Sequence, residues 1–98
     1  MIHHFYEELF FRVGSHRLRD WREISSSGEA HCVIYHGTEA PASVSFYLLA
    51  DHQRGYVSVS GHNSPVFDVR NMRHTVDVVI DMYKRVFNGR YEGPPMRY

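Results

Sequence analysis

Eight histidines and a single cysteine are the side chains of this sequence with the most chemistry to offer. Imidazole and thiolate bind zinc, and both serve nucleophilic mechanisms. Their spacing here argues against either use. His3 and His4 are adjacent, and neither Cys-x-x-Cys nor His-Glu-x-x-His occurs. His31, Cys32 and His36 fall in one strand-like run, where His31 faces away from the other two. Cys32 is therefore expected in a sheet core rather than as a nucleophile. The sequence contains no Gly-x-Ser-x-Gly, phosphate loop or dinucleotide fingerprint. Asp77 and Asp81 share a helix face, but Arg73 and Arg85 flank them at the same four-residue spacing. That pattern predicts a solvated salt-bridge ladder, not an acid/base pair. On these grounds no enzymatic activity, metal or cofactor is expected. A small hydrolase or metal-binding protein using the His and Cys residues ranks third, behind two kinds of binding.

Composition points to contact surfaces. The 11 basic and 11 acidic residues cancel, so no global field draws the chain to nucleic acid or a membrane. Every basic residue except Lys84 is arginine, and 7 tyrosines accompany them. Arg and Tyr are the residues most favoured at protein interfaces. Tyr47, Arg54 and Tyr56 near a hairpin, with Arg90, Tyr91, Arg97 and Tyr98 at the C-terminal end, are the candidate partner-binding residues. A protein partner is expected first, and a homodimer through a sheet edge or the tail is a second form of the same reading. An adaptor or a stoichiometric inhibitor fits such a chain. Phage-encoded inhibitors of host defence, such as anti-CRISPR proteins, are one class of this size. In an inhibitor, Asp77, Asp81 and Glu92 would pair with basic surfaces of the partner.

The elements that must carry these residues follow from periodicity. In residues 68–89, Val69, Met72, Val76, Val79, Ile80, Tyr83, Val86 and Phe87 recur at helical spacing. Asp68 stands where an N-cap is wanted and Gly89 where a left-handed C-cap is wanted. Residues 2–13 carry a second helical stripe of Ile2, Phe5, Tyr6, Leu9, Phe10 and Val13. A strand over residues 5–13 competes there, but Glu7 and Glu8 favour helix. Residues 29–36, 42–50 and 56–60 are β-branched or alternating and read as strands. Residues 15–27 fit a short helix or an irregular strand around Trp21 equally well.

The predicted fold is α+β in the order α-β-β-β-α. A three- to four-stranded antiparallel sheet has an N-terminal helix and a long C-terminal helix on one face. Residues 1–89 are expected to form one domain, and 90–98 an extended tail through Gly93-Pro94-Pro95. No apolar run approaches the roughly 18 residues of a membrane span, and the first residues lack a signal-peptide pattern. With one cysteine, a cytoplasmic setting is expected.

One resemblance adds a second binding reading. Gly28-Glu29-Ala30-His31 looks like the Gly-Pro-x-His loop of double-stranded-RNA-binding domains, with Tyr35 following as an aromatic often does there. That family also has the α-β-β-β-α order. The resemblance implies that His31, Arg70, Arg73 and His74 would contact duplex RNA, the last three gripping phosphates from the start of the long helix. Glu29 stands where that family has proline, and the family's lysine cluster is absent. Protein binding therefore stands ahead of nucleic acid.

Overall fold

The computed structural model describes residues 1–35 and 41–87. Helix α1 spans Ile2–Val13, as its stripe predicts, and Gly14 closes it by donating its N–H to the Phe10 carbonyl at 3.0 Å. Strand β1, Leu18–Ile24, leads through a 3-10 turn, Ser25–Ser27, into β2, Glu29–Ile34. Strands β3, Ala42–Leu48, and β4, Arg54–Val59, form the next hairpin. Two-residue strands β5, His62–Asn63, and β6, Phe67–Asp68, precede helix α2, Met72–Phe87. The fold is α+β. All six strands form one sheet in the order β1-β2-β3-β4-β5, with β6 also beside β4, and every pairing is antiparallel.

The strand count exceeds the three to four expected. Residues 15–27 supply the fourth strand, β1, and a turn, and the excess lies in residues 62–68. Residues 62–68 form one interrupted edge along β4, too short in each piece to show a period of two. At the break, the Ser64 side chain stands in for a ladder residue. Its Oγ accepts the Val57 N–H at 3.0 Å, and its own N–H donates to the Val57 carbonyl at 2.8 Å. Pro65 follows with no N–H to offer, so regular pairing stops there.

Alternation sorts the sheet into two faces. Ala30, Cys32, Ile34, Ala42, Val44, Phe46, Val57 and Val59 are buried beneath the helices. They meet Phe5, Leu9 and Val13 of α1 and Val76, Val79, Ile80 and Tyr83 of α2. Phe5 stacks on Phe46 with ring centroids 4.7 Å apart, joining α1 to the centre of the sheet. Phe10, expected in the α1 stripe, is 38% exposed and leans on Tyr6 at 5.6 Å.

Helix α2 begins later than its apolar pattern suggests. Asn71 is the cap: its Oδ1 accepts the His74 N–H at 3.1 Å. Asp68 instead accepts the Arg70 backbone N–H at 3.0 Å and ends β6. Val69 is buried, but it packs from the loop ahead of the helix. The charges of α2 are also divided differently from the expected ladder. Asp77 pairs with Arg12 of α1, whose guanidinium is buried and also reaches Glu8 at 3.3 Å. The contact between the helices thus absorbs a carboxylate that had looked solvent-facing.

Candidate functional site

With both helices on one side, the opposite side of the sheet has no covering element among the described residues. The antiparallel register assembles two rows across this open face. One is polar: Arg22 of β1, His31 of β2, Ser45 of β3, Ser58 of β4 and Asn63 of β5 are successive cross-strand partners. At about 4.8 Å per strand the row is roughly 20 Å long. The other row runs Ile24, Glu29, Tyr47, Tyr56. Beyond the polar row lie Arg19, Val33 and Ser43.

The two rows are tied together at their centre. Tyr47 and Tyr56 stack with centroids 4.6 Å apart and planes at 20°, and the His31 ring meets Tyr47 edge-on at 5.7 Å. His31 Nδ1 lies 2.9 Å from Ser45 Oγ, and its Nε2 lies 3.3 Å from Glu29 Oε1. Ser27 Oγ donates to the other Glu29 oxygen at 2.5 Å. The Ser27 hydroxyl, and behind it His31, hold the Glu29 carboxyl below its ordinary range. An ionised carboxylate only accepts, so the hydrogen of neutral His31 sits on Nε2 and leaves Nδ1 to accept from Ser45.

Strand β1 adds relief to this face. Its register slips between Arg19 and Arg22, where Asp20 takes a left-handed φ of 58°. A bulge of this kind redirects neighbouring side chains and often adjoins functional sites. Here it opens a concavity of about 590 Å3 lined by Asp20, Arg22, His31, Val33, Ser43 and Ser45, among others. Arg22 is exposed and has no ion-pair partner among the described residues. The bulge and the charges of Arg19, Arg22 and Glu23 also blunt β1 as an edge for strand addition.

The expected site residues separate into three groups. Tyr47 and Tyr56 come together as described. Arg54 shares their strand, but its Nε donates to Asp51 Oδ2 at 2.7 Å, which neutralises it at the hairpin end. Arg90, Tyr91, Arg97 and Tyr98 lie outside the described residues, as does Glu92.

The residues of the RNA-binding reading are not gathered into one surface. His31 stands on the open face, whereas Arg73 and His74 open α2 on the other side of the sheet. Arg70 is clamped to Asp68, with one N–O distance of 2.6 Å, and His74 rests edge-on against Phe67 at 5.8 Å. Sequence reading missed Arg22, Glu29, Ser27 and Ser45 as members of a cluster. The alternation of residues 42–50 places Ser45 outward; only the strand register sets it opposite His31.

Cys32 lies on the buried face, where desolvation pushes its thiol up to about 12, a value that suits packing rather than nucleophilic attack. Among the described residues no group of three or more His, Cys, Asp or Glu side chains could hold a metal ion, and no helix is long and apolar enough to cross a membrane. No protein-family model, curated protein or solved structure matches this chain.

Proposed function

We propose that this protein works by binding another protein through the open face of its sheet, as an adaptor or a stoichiometric inhibitor. The observation that carries this reading is the Tyr47–Tyr56 stack, standing half-buried on a face with no covering element among the described residues and braced by His31. Stacked tyrosines offer apolar area with little rotamer freedom left to lose, and they retain hydroxyls for directional bonds. The polar row beside them supplies hydrogen-bond partners of fixed spacing. An anti-defence inhibitor encoded by a phage is one protein of this type, suggested by size and the lack of a catalytic motif alone.

A partner captured by the wild-type chain and then purified supplies the test. Tyr47→Ala and Tyr56→Ala should each weaken its binding by about tenfold or more, as aromatic anchors do, while thermal stability stays near wild type. Equal affinity in both folded variants would remove the open face as the docking surface. Duplex RNA is the competing partner. Salt-sensitive binding that Arg70→Ala with Arg73→Ala abolishes would favour RNA instead.

A further inference from the structure

The hydrogen-bonded chain through His31 does more than brace a tyrosine. We propose that Ser45, His31 and Glu29 form a nucleophile–base–carboxylate array that accepts the acyl group of a small carboxylic ester bound in the concavity beside Arg22. This goes beyond the binding of a protein partner and does not depend on it.

Three observations converge. Ser45 Oγ is 2.9 Å from His31 Nδ1, within reach for direct proton transfer. Glu29 holds the opposite ring nitrogen at 3.3 Å, and its other oxygen is fixed by Ser27. The carboxylate therefore selects the tautomer in which Nδ1 is the free base, as the third member of a triad does. The β1 bulge opens its concavity directly against Ser45 and His31, giving an acyl group somewhere to sit. Among the described residues Ser45 is the only serine whose hydroxyl meets an imidazole nitrogen. Ser43 and Ser58 share its face without that partner.

The step balances within these groups. Ser45 Oγ bonds to the ester carbonyl carbon while its proton passes to His31 Nδ1. The negative charge that develops on the carbonyl oxygen meets the Arg22 guanidinium, carried by the cross-strand neighbour of His31. Collapse of the tetrahedral adduct breaks the bond to the alcohol oxygen, which leaves with the proton from His31. Water then attacks the acyl-serine by the same route in reverse, giving up a proton to His31 that returns to Ser45. Glu29 is a positioning residue throughout. The groups facing the imidazole are Glu29 on its own strand, Arg22 and Asp20 on β1, and Ser45 and Tyr47 on β3.

The probe is p-nitrophenyl acetate, with release of p-nitrophenolate followed by absorbance and acetylated peptides mapped by mass spectrometry. The expected result is acetyl-Ser45, or steady release of p-nitrophenolate where hydrolysis outpaces its accumulation. Ser45→Ala abolishes either signal, and His31→Ala slows it about a hundredfold or more, the contribution of a general base. Ser15→Ala, in the exposed turn after α1, leaves it unchanged. Glu29→Gln keeps the side chain's shape but removes its charge. It should slow the reaction, and Glu29→Asp, which keeps the anion, should restore part of the rate. Acetyl groups found only on Lys84 or the N-terminal amine would overturn the proposal. So would a Ser45 rate no greater than that of Ser58, or one indifferent to His31→Ala in a variant with wild-type melting behaviour.

Discussion

Asp51 and Asp68 each hold a bend in the chain with one carboxylate. Asp51 accepts the backbone N–H groups of Gln53 and Arg54 at 3.0 Å and the Arg54 guanidinium at 2.7 Å. Asp68 does the same for Arg70, through its guanidinium foremost and then its backbone N–H. These bonds favour the charged form, so Asp51 sits well below the usual carboxylate range and Asp68 at about 2. A carboxylate whose value is lower in the folded than in the unfolded chain contributes fully above the unfolded value of about 4. That contribution is lost as pH falls toward about 2, where Asp68 takes up its proton. Urea unfolding midpoints measured at successive pH values should therefore drop across this window, and Asp68→Asn should flatten part of the slope. Both groups are exposed, so the effect is modest. Carboxylate titration by NMR showing ordinary values for both would contradict the account. Neither role is legible as such in the sequence. Asp51 could be read as a hairpin residue, but Asp68 looked like the cap of a helix that Asn71 in fact caps.

Gly55 shows what the elements demand of single positions. It sits inside β4, opposite Leu48, and is buried. A Cβ there would collide with the Tyr47 carbonyl oxygen and crowd the Val69 side chain. This glycine serves the close approach of two backbones. Gly55→Ala should destabilise the fold by about 1–3 kcal/mol, the range for overpacking a filled site, with the loss read from chemical denaturation. A neutral result would mean that the β3–β4 hairpin can open there without cost. The bulge in β1 makes a similar point. Its strand looked irregular in the sequence because Leu18, Trp21 and Ile24 are three apart. The structure explains the first step of that spacing: Asp20 adopts a left-handed φ and shifts the register of the strand by a residue, so Trp21 returns to the helix side while Ile24 lies on the open face. Trp21 then packs against Tyr6 at 4.6 Å while Arg22 points to the open face beside His31.

At the scale of the molecule, one core under two helices leaves the other face of the sheet without a covering element among the described residues. The core is where the fold is most sensitive. Val79 and Ile80 are fully buried, and Val79→Asp would place a carboxylate there at a cost of several kcal/mol. That is comparable to the whole stability of a small domain, so the variant should be unfolded by circular dichroism at room temperature. A cooperative melt would show that α2 can turn or shift to release the charge. The helical stripes, the alternating strands and the α+β class were legible because burial imposes periods of 3.6 and 2 on local sequence. The outward placement of Ser45, Tyr47 and Tyr56 followed from the same rule. What no local pattern contains is which residues stand side by side across strands, since register depends on bulges, interrupted edges and pairing between distant segments. Register alone set Ser45 against His31 and Tyr47 against Tyr56. Packing of α1 on α2 alone turned Asp77 from a surface charge into the partner of buried Arg12.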